Sequence, residues 1–321
     1  MPVRNEYITD LGKLIMKKLL LTLALISSLI LTSCSPIQTP QAIVGLKILV
    51  VESFLGDIVE NVVGDQAKID VLIPIGLDPH AFEPTPQDIA KISEADVLII
   101  NGAGLEGWLQ DTLSNISSTT TIIDASKGLT PRSPGAGEIL DEDHLEGDPH
   151  FWLDPVKTIS YVENIRDGMV AIDDKNKEIY TQNAADYIAQ LTELDKWIAQ
   201  QIATIPSQNR LLVTNHESFG YYADRYGLKV VGAIIPSVST NASPSAQQLA
   251  GLINQIRSSK APAIFLETGA NPQLANQIAS ETGIKVITDL ITHSLTEKGG
   301  DACTYLDMMR HNTDLIVAGL K

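Results

Sequence analysis

Short apolar runs alternate with helical stretches twice along this chain, and one long helical pattern separates the two sets. Residues 46–51, 68–73, 96–101 and 120–124 read as strands before it. After Pro206 the pattern begins again, with strands over 210–214, 229–235, 263–266 and 285–288. Short apolar strands spaced by helices imply parallel sheets covered on both faces. Two such sets predict an α/β protein of two lobes, each a mostly parallel sheet flanked by helices. The separating stretch, 176–203, contains neither Gly nor Pro. Tyr180, Ala184, Tyr187, Leu191, Leu194, Ile198 and Ile202 recur there at steps of three and four, one apolar stripe on a helix. A helix of roughly 28 residues spans about 40 Å, enough to run the length of a small domain. The expected layout is an N-terminal lobe over 46–174, a connecting helix over 175–204 packed along both lobes, and a C-terminal lobe over 205–321. Each lobe is expected to have its own core.

The start of the chain points to export. Lys17 and Lys18 precede an apolar run over 19–31, the layout of a secretory signal peptide. That run is too short for a membrane-spanning helix. It ends in Leu31-Thr32-Ser33-Cys34, which resembles a bacterial lipobox. The resemblance implies a signal peptide over 1–33 with its start at Met16, and a lipid anchor on Cys34. The polar stretch over 34–45 then reads as a tether. Removing residues 1–33 takes four basic and two acidic side chains from a chain of formal charge −16, leaving −18. That acidity argues against nucleic acid or anionic headgroups as partners. With Cys34 lipidated, Cys303 has no partner, so neither a disulfide framework nor a Cys-rich zinc site is expected.

Of six histidines, His80, His150, His216 and His293 each fall just past a predicted strand end or at a loop entering a helix. Ligands in open α/β sheets bind beyond the carboxyl ends of strands. Two histidines come from each lobe, so the pattern predicts a metal held in the cleft between them. Imidazole suits zinc and the later first-row metals. Glu217, Glu267 and Asp289 are candidate carboxylate partners for the ring N–H groups. His144 lies in an acidic loop and is read as solvated. His311 is read as a surface or packing residue on the last helix.

Three phrases carry a specific resemblance: Asp78-Pro79-His80-Ala81-Phe82-Glu83-Pro84-Thr85-Pro86, Asp148-Pro149-His150-Phe151-Trp152-Leu153-Asp154-Pro155 and Thr304-Tyr305-Leu306-Asp307-Met308-Met309-Arg310. With them the chain resembles the substrate-binding lipoproteins of bacterial zinc and manganese ABC importers, over essentially 46–320. The resemblance implies a four-ligand metal site in the cleft of a monomeric carrier, which serves a permease and its ATPase without chemistry. His80 and His150 fall on the first two family ligands. His216 stands where manganese-type members place a glutamate, as in zinc-type relatives. The family's usual aspartate falls on His293, so the fourth ligand is His293 or, with a shifted loop, Asp289. Zn2+ is the expected cargo, with Mn2+ or Fe2+ as alternatives.

Three rival functions fit the residues less well. A zinc hydrolase needs an open coordination position, and no HExxH-type helix motif is present. A surface adhesin leaves no mark in the sequence. A carrier of chelated metal calls for an aromatic or basic cleft, and aromatic content is 5%.

Overall fold

The computed structural model describes residues 45–115, 119–132 and 147–321. The signal peptide, the tether with Cys34 and the loop with His144 lie outside the described residues.

The first lobe builds a four-stranded parallel sheet in the order β2-β1-β3-β4, from β1 (Lys47–Val50), β2 (Lys68–Val71), β3 (Val97–Ile100) and β4 (Thr121–Asp124). The second repeats it strand for strand as β6-β5-β7-β8: β5 (Leu211–His216), β6 (Lys229–Ile235), β7 (Ala263–Glu267) and β8 (Lys285–Leu290). Central strands are apolar without alternation because helices cover both faces, and every residue of β7 is buried. In each sheet the order reverses between the two central strands, β1 and β3 or β5 and β7. The crevice beyond their carboxyl ends is where such sheets take ligands.

The helices are α1 (Ser53–Val63), α2 (Pro86–Glu94), α3 (Gly107–Asn115), α4 (Pro155–Ile172), α5 (Lys177–Ala203), α6 (Gly220–Tyr226), α7 (Ala246–Ser259), α8 (Gln273–Thr282) and α9 (Tyr305–Leu320). Helix α5 buries the seven residues of the stripe read from sequence and no others. It packs on α1 and α4 of the first lobe and on α6 and α9 of the second.

That packing changes one expectation. The largest apolar core is not private to a lobe: it runs from Ile48, Phe54 and Trp152 through the α5 stripe to Tyr222, Phe265 and Tyr305. Only the outer face of each sheet has a core of its own, around Leu98 in one lobe and Ile264 in the other. The physical reason is that α5 presents one stripe to helices of both lobes, so their inner faces are sealed against a common spine. Polar ties cross the same seam. Trp152 Nε1 donates to the Thr292 carbonyl at 2.8 Å, and the Tyr305 hydroxyl donates to the Trp152 carbonyl at 2.6 Å. Asp57 on α1 accepts from the Tyr305 amide at 2.9 Å, so one lobe helps to cap the last helix of the other.

Candidate metal centre

The two Asp-Pro-His segments use one local device. Asp78 Oδ1 accepts from the His80 amide at 2.9 Å, and Asp148 Oδ1 accepts from the His150 amide at 2.9 Å. An aspartate that bonds the backbone two residues on forms a tight turn, which proline then stiffens. His80 lies in a single 3-10 turn, Pro79–Ala81, beyond β2, and His150 immediately precedes another, Phe151–Leu153. His216 is the last residue of β5, and His293 follows β8.

These four elements bring four imidazoles together. His150 Nε2 lies 3.3 Å from His80 Nε2, 3.2 Å from His216 Nε2 and 3.2 Å from His293 Nε2. One ligand atom from each of the four falls within 4.8 Å of all the others. A regular tetrahedron with Zn–N bonds of about 2.0–2.1 Å has edges of about 3.3–3.4 Å. The three measured edges at His150 fit that figure to about 0.1–0.2 Å. His150 and His216 are fully buried, while His80 and His293 are each 8% exposed and face the mouth.

Two carboxylates stand behind the rings. His150 Nδ1 lies 2.8 Å from Asp148 Oδ1. Glu267, at the end of β7, serves two rings: His216 Nδ1 lies 2.7 Å from Oε1 and His293 Nδ1 lies 3.4 Å from Oε2. Burial alone would hinder ionisation of Glu267, but His216 and His293 hold its carboxyl far below the usual range. Burial likewise opposes charge on His293, yet Glu267 and then Asp78 raise its pKa. These partners fix ring orientation and leave Nε2 pointing inward.

The other sequence candidates fall elsewhere. Asp289 is exposed at the end of β8 with φ of 77°, accepts from the Thr288 hydroxyl, and offers its carbonyl to His311. It is not among the four converging groups, whereas His293 is. Glu217 lines a separate groove with Arg132, Asp224 and Lys229. The half-buried Cys303 sits near Asp307 at the start of α9. Three contributors carry little or no signal in the sequence. Asp148 was visible as part of its motif but not as the ring partner. Thr240 and Asn241, in the loop after β6, reach across the cleft: Thr240 donates to Asp78 Oδ2 at 2.6 Å and Asn241 to the His80 carbonyl at 2.6 Å. A polar loop with no periodicity gives no signal for such a contact. A cavity of about 580 Å³, lined in part by Leu77, Asp78, Thr240, Glu267 and His293, opens beside the site. Among the described residues no helix is long and apolar enough to cross a membrane.

Comparison with known proteins places the chain among metal-binding receptors. A family model described as the periplasmic component A of a zinc-uptake complex matches residues 48–319. The manganese-binding lipoprotein MntA of Halalkalibacterium halodurans is 35% identical over 276 residues, covering 86% of this chain and 89% of that one. The metal ABC transporter substrate-binding lipoprotein FimA of Streptococcus parasanguinis is 33% identical over 314 residues, covering 95% and 99%. The Mn-bound periplasmic metal-binding protein of Candidatus Liberibacter asiaticus superposes with a TM-score of 0.76 at 31% identity, over 85% of this chain and 99% of that one. The family match over 48–319, the identities and the shared fold show that the chain belongs to this family of metal-binding, substrate-binding receptors of ABC importers.

Proposed function

We propose that the chain captures Zn2+ through His80, His150, His216 and His293 and delivers it to an ABC permease and its ATPase, as a monomer anchored outside the cytoplasm by lipid on Cys34. The convergence of four ring nitrogens, three of them within 3.2–3.3 Å of the fourth, carries this reading. Four neutral donors favour zinc, whereas manganese prefers more oxygen. Charge supports a cationic cargo. The buried carboxylates of Asp148 and Glu267 stand behind neutral imidazoles, and Asp78 adds a further negative charge near His293, so the described surroundings of the site favour a cation. Four ligands also close a tetrahedral sphere, leaving no position at which to activate water, so the site suits carriage rather than hydrolysis.

A second reading, Mn2+ as cargo, is favoured by the names of the relatives. The two are separated by competitive titration of the metal-stripped protein with zinc and manganese, beside His293→Ala and Asp289→Ala. Tight one-to-one zinc binding that His293→Ala destroys and Asp289→Ala spares is the expected result. A preference for manganese, or loss with Asp289→Ala alone, would overturn both the zinc assignment and the fourth ligand.

A further inference from the structure

The crevice between β1 and β3 in the first lobe holds two glutamates that the metal site does not use. Glu52 follows β1 and Glu106 follows β3, and they are 1% and 6% exposed. Glu106 is well supplied with donors: Oε1 accepts from the Asn101 amide at 2.6 Å and Oε2 from the Gly102 amide at 3.1 Å. Gly102 presents its amide with φ of +83°, and a Cβ there would collide with the Asp124 carboxylate. Glu106 also sits at the N-terminus of α3, where negative charge is favoured. Glu52 is poorly supplied. Neither of its oxygens has a well-formed hydrogen bond, its own amide acting on it only weakly, and although it occupies the N-cap of α1 its side chain caps no amide of the helix. The other group it interacts with is the carboxyl of Glu106.

Buried polar atoms are almost always hydrogen-bonded, and two adjacent buried carboxyls cannot both ionise. A protonated carboxyl is a donor. A proton on Glu52, donated to Glu106, replaces repulsion between two buried anions with a hydrogen bond. Burial, then the neighbouring charge, pushes Glu52 well above the usual carboxylate range, in the same direction. Among the described residues Tyr161 on α4 faces the pair, with Asp124 and Tyr221 around it in turn, and none of these is a cation that could neutralise the pair.

The pair is linked to the metal site by one residue. Asn101 is fully buried; its Nδ2 donates to the Pro149 carbonyl at 3.3 Å and to the Gly102 carbonyl at 3.0 Å, while its Oδ1 accepts from Tyr161 at 2.6 Å. Pro149 directly precedes His150. We infer that Glu52 and Glu106 share one proton at neutral pH and that Glu106 acts as a positioning residue, clamping Asn101 and through it the His150 segment. The His150 half of this inference rests on the metal-carrier reading; the shared proton does not.

Infrared difference spectroscopy of the metal-free protein at pH 7 tests the proton directly. A protonated-carboxyl C=O band, shifted in D2O and absent from Glu52→Gln, is expected; no such band overturns the shared proton. Zinc titration tests the positioning. Glu106→Ala strands the Asn101 and Gly102 amides and should weaken binding roughly tenfold or more, within the range found when supports of metal ligands are removed. Glu52→Gln, whose amide still donates to Glu106, should bind within about twofold of the unsubstituted protein. Equal affinity in Glu106→Ala and the unsubstituted protein overturns the clamp, as does a loss in Glu52→Gln as large as in Glu106→Ala. Circular dichroism checks that each variant folds. If the unsubstituted protein itself fails to bind zinc, the carrier reading falls and the infrared result still decides the proton.

Discussion

Glu106 and Glu267 stand at matching points of two matching sheets, one past β3 and the other at the end of β7, each beside the reversal of strand order. Both are buried, yet their acidities move in opposite directions. Burial raises the pKa of Glu106 to about 7, and the hydrogen bonds from Glu52 and the backbone amides only partly oppose it, with no cation facing it among the described residues. Glu267 faces two imidazoles and is held far below the usual range despite equal burial. Strand topology therefore provides a crevice, and the facing residue decides what charge it holds. Where β5 ends in His216, the crevice becomes half of a cation site. Where β1 leads into Glu52, the same crevice holds a proton.

The comparison can be broken in several ways. The largest effect should come from metal itself. Zinc at a thousandfold excess over Kd should stabilise the protein by about 4 kcal/mol, read as a raised Tm that chelator reverses. That gain should shrink in Glu267→Gln and persist in Glu52→Gln; equal loss in both would mean that the two crevices are not functionally distinct. Next, Glu267→Ala leaves the Nδ1 atoms of His216 and His293 without their carboxylate and should weaken zinc binding by roughly 10–100-fold by calorimetry.

Acidity gives a third test. Glu267 has a lowered pKa, so its stabilisation is present above about 4.5 and fades as pH falls below that value. Glu106 has a raised pKa, so the folded form keeps a proton that the unfolded chain releases. Stability from the pair then declines as pH rises from 4.5 towards about 7. In metal-free protein the Tm of Glu52→Gln relative to the unsubstituted chain should rise between pH 5 and 8. The deficit of Glu267→Gln should shrink below pH 4.5. Parallel curves would refute the contrast. The smallest effect is expected at the mouth: Thr240→Val removes the bond to Asp78 and should cost about 1 kcal/mol, read as faster zinc release in stopped flow.

Much of this was legible in the chain. The α5 stripe could be read residue by residue, because a 3.6-residue period is a local property. The histidines were legible because parallel sheets put function at strand ends. Glu267 was legible for the same reason, whereas Glu217, one residue past His216, points to a different groove. The Glu52–Glu106 pair was not legible: two glutamates far apart in sequence read as surface charge until strand order sets β1 beside β3. The shared core was hidden for a related reason. Sequence shows that a face is apolar, not which other face will cover it.

Seven side chains of α5 belong to both halves of the molecule at once. Half of this receptor is therefore not a smaller receptor. A cut on either side of the spine would bare a greasy seam that includes Tyr180 and Tyr187, and a chimera that traded one lobe for a relative's would inherit a mismatched joint. Gly45 to Lys321 is one compact unit, and an exchange of parts within it has to carry the spine's partners along.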